Sequence, residues 1–420
     1  MNVSNMKHKN QNNLPKGWRK VRLGEVADII RGVSFSKEER SLRWFEGGTP
    51  ILRANNIKEN GILNLDDLMY VIDSKISDEQ KLRTNDIVVV ASSGNKKLVG
   101  KIARIYQIDQ QLSFGAFMYC IRPKSIEPRY LYLYLRSSNY KNQLQEIVEG
   151  TNINNLRKSD LANIELSIPE DPSEQKRIAD ILSAFDDKIE LNNKIIKTLE
   201  QMAQEIFKEW FVKFRFPGWE KVKFVDSELG KIPEGWGVID LYDYISFEGG
   251  SQPPKSMHIY EKREGYVRFI QNRDYESDAY ITYIPESNRN KLCNEYDIMM
   301  DKYGEAGKVR FGLAGAYNVA LAKITPKPPL MREYLRWFLK QPEIEKMIEG
   351  SAMASTRASV NKIVFKNLKI LLPSRDLMEK FEEISKLYID NYLKLRAENQ
   401  TLAALRDLLL PKLMSGEIRV

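Results

Sequence analysis

Two stretches of the chain carry an apolar residue alternately every fourth and every third position. In the first, Ile178, Leu182, Phe185, Ile189, Asn192, Ile196, Leu199, Ala203, Ile206 and Trp210 keep this spacing with one polar interruption. In the second, Leu377, Phe381, Ile384, Tyr388, Asn391, Leu395, Glu398, Leu402, Leu405 and Leu409 keep it with two. A heptad seam of this kind predicts a long helix that buries one stripe against another helix. The predicted spans are 171–215 and 374–415. At 1.5 Å per residue, a helix of about 40 residues is roughly 60 Å long, longer than a domain of ~150 residues is wide. Each helix is therefore expected to project from its domain and to pack antiparallel on the other, as a rigid bar with a domain at either end. Asn192 and Asn391 either fix the register of the pair, as polar seam residues do, or face water at an imperfect seam.

Outside the helices the apolar runs are short and bounded by turn residues. Val21–Ile30 reads as a helix or strand, and Thr49–Arg53, Asp86–Ala91 and Met118–Arg122 read as strands. Pro128–Ser137 has helical spacing at Tyr130, Leu131, Tyr134 and Leu135, and Ala162–Ile168 reads as a strand ending at Pro169. The whole series then repeats. Leu14-Pro15-Lys16-Gly17-Trp18 returns as Ile232-Pro233-Glu234-Gly235-Trp236, and at the same shift Leu23 meets Leu241 and Gly32 meets Gly250. Farther on, Asp86-Ile87 matches Asp297-Ile298, Gly100-Lys101 matches Gly307-Lys308, Tyr130-Leu131 matches Tyr334-Leu335, and Ile164, Leu166 and Pro169 match Leu368, Ile370 and Pro373. The shift shrinks along the copy, as it does when loops lose residues and elements persist. The expected fold is mixed α/β (α+β): two pseudo-repeated domains, 14–170 and 232–373, separated by two long antiparallel coiled-coil helices. A polar, mobile extension of 1–13, a linker of 216–231 and a tail of 416–420 complete the division.

Composition narrows the setting. Of the 420 residues, 42% are hydrophobic and 29% charged, as in a soluble globular protein, and no window approaches the ~20 apolar residues of a membrane span. Residues 1–13 lack the apolar core of a secretory signal, so a cytoplasmic location is expected. The two cysteines, Cys120 and Cys293, lie far apart in apolar strands and are expected to be buried thiols. The net charge is +8, which suits an anionic partner. Ser173–Phe211 holds six basic and eight acidic residues, so the positive surface must lie mainly outside the first helix.

Catalytic chemistry has few parts to work with. The only histidines are His8, in the extension, and His258, in a loop, too few for a triad or a histidine-rich metal site. Gly304-Glu-Ala-Gly307-Lys308 lacks the spacing and following hydroxyl of a phosphate-binding loop. Phe311-Gly312-Leu-Ala-Gly315 echoes a methyl-donor turn without its companion motif. No carboxylates and lysine stand at nuclease-like spacing. No catalytic, metal or cofactor residue is expected.

Binding residues are another matter. Several turns mix arginine, lysine, amide and hydroxyl side chains, which hydrogen-bond phosphates and base edges, and these turns recur at matching places in the two copies. In the first copy they are Arg31, Ser34 and Lys37; Arg53, Asn55 and Asn56; Ser92, Ser93, Asn95, Lys96 and Lys97; and Asn152, Asn154 and Arg157. In the second they are Ser251, Gln252 and Lys255; Gln271, Asn272 and Arg273; Lys302, Tyr303 and Lys308; and Thr356 and Arg357. They point to double-stranded DNA as the ligand. A protein scaffold, or a methyltransferase or nuclease with an unfamiliar site, are the alternatives.

The Pro-x-Gly-Trp openings, the Gly150-Thr151-Asn152-Ile153 stretch leading to Ile168-Pro169, Glu174-Gln175 at the start of the helix and the terminal Leu408–Ile418 segment resemble the specificity subunit of Type I restriction-modification systems. The resemblance covers nearly the whole chain. It implies a non-catalytic subunit with two target recognition domains, each reading half of a bipartite, asymmetric DNA site, and helices that set the gap between the halves. It also implies two methyltransferase subunits and motor-nuclease restriction subunits as partners, with S-adenosylmethionine, ATP and magnesium held on them. The second copy departs from the first at Gly350–Arg357 and lacks the Glu-Gln pair after Pro373. Apolar helix residues off the seam, Ile181, Ile195, Met202, Phe207 and Phe211, either receive methyltransferase helices or touch the adjacent domains.

Overall fold

The computed structural model describes residues 14–420 apart from 58–60, 62, 95–97, 107–109, 150–154, 277, 279, 354–358 and 367. It divides into two compact units, 14–189 with 401–420, and 190–400. The division falls within the long helices and not at 170, 232 and 373, because each unit includes the helix segments that pack on its sheets.

In the first unit, strands Ala27–Arg31, Met118–Pro123, Ile87–Val90 and Ile102–Arg104 form an antiparallel sheet in that spatial order. Its register pairs Ile29 and Ile87 with opposite sides of Ile121. A second sheet runs Arg40–Ser41, Met69–Ile72, Gly48–Leu52 and Ser113–Phe114, the last pair parallel. The segment Val21–Ile30 resolves into a strand, Trp18–Arg22, one helical turn, Leu23–Val26, and the first sheet strand. Trp18–Arg22 pairs with Glu165–Pro169. Ala162 ends a short helix, Lys158–Ala162, and does not open that strand.

The second unit repeats this plan. Ile245–Gly249, Leu321–Pro326, Ile298–Asp301 and Val309–Arg310 form one sheet, and Tyr283–Pro285, Tyr266–Ile270, Gly315–Tyr317 and Leu292–Cys293 the other. Gly237–Asp240 pairs with Lys369–Leu372 as Trp18–Arg22 does with its partner. Helices Pro128–Tyr134 and Ser138–Glu149 recur as Arg332–Leu339 and Pro342–Met353. The segment 216–231 is more than a connection: Phe224–Ser227 and Gly230–Pro233 form a hairpin.

The repeated Pro-x-Gly-Trp signature is a turn. Gly17 and Gly235 lie at φ +80° and +87°, a region costly for any residue with a Cβ. The turns close when Trp18 N–H donates to Pro15 O and Trp236 N–H to Pro233 O, at 3.0 and 3.1 Å. Trp18 is then buried, its indole donating to Glu174 at 3.2 Å. The neighbouring Gln175 is also buried, accepting from Glu127 N–H and donating to Pro169 O. The Glu-Gln pair thus rivets the helix start to the domain. The second copy replaces the pair with a buried network in which Trp337 donates to Ser385 at 2.6 Å and Arg336 grips Glu333.

The long helices span Pro172–Phe207, extended by a wider π-type turn over Lys208–Val212, and Arg375–Met414. They run antiparallel within each unit. In the first, Arg406 binds Asp186 at 2.5 Å and Arg177 donates to Val420 O; in the second, Asn192 meets Asn399 at 2.9 Å and the Trp210 and Phe381 rings lie 6.1 Å apart. Every first-helix seam position is buried or half-buried. On the second helix, Leu377 and Phe381 are buried and Ile384, Tyr388, Leu395, Leu402 and Leu409 half-buried, but Asn391 and Leu405 face solvent. The buried stripe there moves to Met378, Ser385 and Ile389. An α-helix with 3.6 residues per turn drifts from a strict 3.5-residue repeat, which carries Asn391 off the contact face. Asn192 is buried in the seam, and its amide donates to Glu398 and Asn399 across the helix pair.

Phe207 and Phe211 settle one open alternative. Both are buried among Tyr334, Phe381 and, for Phe211, Trp236, in the core of the second unit. Burial of each ring contributes about 1.5–3 kcal/mol. Ile181, Ile195 and Met202 remain exposed. Cys120 and Cys293 are buried free thiols, and burial pushes the Cys293 thiol up to about 12.

Candidate nucleic-acid interface

In each domain, one end of the two sheets gathers the loops rich in basic and amide residues. The antiparallel order of the first sheet brings the C-terminal ends of Ala27–Arg31 and Ile87–Val90 beside the N-terminal end of Met118–Pro123. Three loops leave this end: Gly32–Lys37, Ser92–Gly94 and Gly115–Phe117. The parallel pairing of Gly48–Leu52 with Ser113–Phe114 adds a fourth, the turn Arg53–Asn56.

Backbone bonds lock these loops together, and the same bonds recur in the second domain. Val33 N–H donates to Phe114 O at 2.8 Å, and Ser251 N–H to Tyr317 O at 3.1 Å. Gly115 N–H donates to Leu52 O at 2.9 Å, and Asn318 N–H to Ile270 O at 3.0 Å. Ala91 N–H donates to Phe117 O at 2.8 Å, and Lys302 N–H to Ala320 O at 2.7 Å. Leu156 N–H donates to Ala91 O at 2.8 Å, and Val360 N–H to Lys302 O at 3.1 Å, bringing in the segments that precede Arg157 and Asn361. Gly32 and Gly250 mark the closest approach. A Cβ on either would lie 2.1 Å from a carbonyl oxygen, of Gly115 or Asn318.

The candidate residues take different roles within this frame. Arg31, Ser34, Lys37, Asn55 and Arg157 are exposed in the first domain, and Gln252, Lys255, Arg273 and Tyr303 in the second. Ser92 bridges to Asn155 and donates its N–H to Phe117 O, and Ser93 beside it is half-buried. Arg53 grips Asp67 at 2.9 Å, and the Asn55 amide reaches the same carboxylate. Gln271 donates to Thr282, and Asn272 to Tyr303 O. The Lys302 ammonium stands 5.5 Å from the Tyr303 ring centre. Three polar atoms of these loops, Arg53 Nε, Ser251 Oγ and Asn272 Oδ1, have no hydrogen-bond partner within the protein.

Two candidates serve the protein itself. Asn56 is 1% exposed; it accepts from Arg53 N–H and donates to Asn64 O and Asp67 O. It pins the turn and presents nothing outward. Asp274 does the same in the second copy, accepting from Gln271 N–H at 2.9 Å, and burial holds its carboxyl above the usual range. Lys308 is engaged with Glu305 and Glu276 around Arg310, so its charge is already countered. Neither Lys37 nor Lys255 is tied by a backbone bond to the locked loops. Asn95, Lys96, Lys97, Asn152, Asn154, Thr356 and Arg357 lie outside the described residues.

Sequence reading passed over the central loop. Gly115–Phe117 bonds or bridges to Val33, Leu52, Ala91 and Ser92, and Phe117 is 70% exposed. Its signal was a small-residue pair, Gly115-Ala116, followed by an aromatic between two strands. Among the described residues there is no cluster of side chains able to hold a metal ion, and no helix long and apolar enough to cross a membrane.

Comparison with known proteins gives a consistent result. Residues 15–201 and 233–391 match the family described as the Type I restriction modification DNA specificity domain. The chain is 30% identical over 315 residues to the Type I restriction enzyme MjaIX specificity subunit of Methanocaldococcus jannaschii, covering 71% of each chain. It is 26% identical to the EcoKI specificity subunit of Escherichia coli, over 96% of this chain and 90% of that one. In fold it is similar to the crystal structure of a Type I restriction-modification S subunit from M. genitalium, with a TM-score of 0.55 and 18% identity over 97% of this chain and 98% of that one. With a duplicated domain, matching loop clusters and both copies covered by the family match, the chain belongs to the Type I restriction-modification specificity subunits, the non-catalytic DNA-recognition components of those systems.

Proposed function

We propose that each domain reads one half of a bipartite, asymmetric DNA site through its locked loop cluster. The observation that carries this reading is the cluster's construction: the backbone bonds that gather the loops are the same in both domains, while the side chains they display differ. A common frame with divergent contents is what two readers of unlike sequences require. Exposed arginines and lysines supply phosphate contacts, and the amide and hydroxyl groups read base edges.

The long helices set the distance between the half-sites and dock two methyltransferase subunits, with Ile181, Ile195 and Met202 among the exposed apolar positions available for that contact. Motor-nuclease subunits complete the restriction complex. S-adenosylmethionine, ATP and magnesium act on those partners, and this chain supplies the address.

The test is binding by the chain in complex with its methyltransferase partners. One split sequence should be selected, with affinity falling steeply as salt rises, since each phosphate contact releases about one counterion. Equal affinity for all sequences at every salt concentration would contradict the reading.

A further inference from the structure

The two loop clusters differ at a pair of positions held by the shared backbone bonds. In the first domain, Ser92 and Phe117 are neighbours, because Ser92 N–H donates to Phe117 O at 3.1 Å. The equivalent positions in the second domain follow from the shared bonds. Ala91 N–H meets Phe117 O as Lys302 N–H meets Ala320 O, so Tyr303 stands where Ser92 does and Ala320 where Phe117 does. The first domain therefore carries a small residue and an aromatic, and the second carries them the other way round.

Both rings are open to solvent. Phe117 is 70% exposed and Tyr303 41%. Scattered exposed apolar residues are ordinary on a protein surface. These two differ in that each stands on backbone bonded to a neighbouring loop, Phe117 O accepting from Ala91 and Ser92 N–H and Tyr303 O from the Asn272 amide. Each frame thus carries one exposed aromatic, at neighbouring positions of two different loops. A structural role would bury the ring, and a hydrogen-bonding role would not be met by phenylalanine. What the two share is a flat apolar face.

We propose that each domain presses one aromatic ring, Phe117 in the first and Tyr303 in the second, against a base step of its half-site and unstacks it. The inference rests on the reading that these clusters bind DNA. Aromatic wedges distort base steps in this way, at a cost met by the added contact, and base–aromatic contacts survive changes of sequence because every base has a π-face. The ring therefore adds affinity and favours deformable steps, and the surrounding arginine and amide groups carry the base identities.

The experiment uses the full chain with its methyltransferase partners and a duplex of about 30 base pairs bearing the split site found in the methylation pattern of the native genome. The fluorescent base 2-aminopurine is placed at successive steps in each half. The parent complex should raise its fluorescence at one step per half besides the base that each methyltransferase extrudes. Phe117→Ala should abolish the rise in the first half alone and weaken binding roughly tenfold; Tyr303→Ala should do so in the second half alone. Tyr303→Phe should keep both properties. The proposal is overturned if the alanine variants bind and fluoresce like the parent, or if alanine at either exposed position lowers the melting temperature and so shows the ring to be structural. A parent complex with no sequence preference would instead overturn the reading beneath it.

Discussion

At Gly32 and Gly250 a methyl group has no room, since a carbonyl oxygen lies 2.1 Å from where it would sit. Gly32→Ala should therefore destabilise its domain by about 1–3 kcal/mol, as forced overpacking does, and should displace the Arg31–Lys37 loop. Thermal melting and half-site binding should both suffer; an unchanged melting temperature would refute the close approach. The matching of Gly32 with Gly250 was legible in sequence, but its cause was not, because the opposing carbonyls lie about 80 and 70 residues away along the chain. Asn56 failed for a related reason: an amide in a polar turn reads as a contact until its three bonds to the turn itself are seen. A second residue-scale test concerns Glu382. Burial, opposed by Glu333 N–H, holds its carboxyl above the usual range, and the Glu333 carboxylate adds to the rise. A raised carboxyl favours the fold below the unfolded pKa of about 4.3, and that contribution is lost as pH rises through the folded value. Glu382→Gln keeps an acceptor for Glu333 N–H, so it should raise the melting temperature near pH 7 by about 1–2 °C and lose the advantage near pH 4. An equal gain at both values would contradict the sign.

At the scale of elements, the heptad spacing gave the second long helix within a residue at either end, and the first within a residue at its start and three residues past the end of its π-type turn, since one apolar stripe is a strong local signal. Burial of each position was less legible. Over forty residues the stripe rotates, so Asn391 and Leu405 keep the sequence spacing and leave the contact face, while Ser385 and Ile389 enter it. Asn192, a buried polar residue of the predicted seam, keeps its side-chain oxygen unpartnered. Asn192→Leu should hold or raise stability by up to about 1 kcal/mol, because a polar seam residue trades stability for register. A fall of more than that in chemical unfolding would show that the bonds to Glu398 and Asn399 outweigh the cost. The turn signatures were legible as sequence alone, but the convergence of four loops was not, because it depends on strand order. Ala27–Arg31 and Ile87–Val90 meet only through the strand Met118–Pro123 placed between them.

Across the whole molecule, the duplication was the most legible feature and the one with the most consequence. Declining shifts between Trp18 and Trp236, Asp86 and Asp297, and Tyr130 and Tyr334 anticipated which elements correspond, and the backbone bonds of the loop clusters follow the same correspondence. If the helices set the gap, deleting one heptad from each removes about 10 Å of helix and should shorten the preferred gap by roughly three base pairs. Both half-sites should stay as they were; an unchanged gap would remove the spacing role. The most direct measurement is the methylation pattern of a genome modified by this chain with its partners, compared with that from a chain whose Gly32–Lys37 and Arg53–Asn56 loops are exchanged for those of another specificity subunit. The expected result is one split motif with two unlike halves, of which the exchange alters one and leaves the other intact. A continuous or palindromic motif, or an exchange that alters both halves, would contradict the assignment of one half-site to each domain.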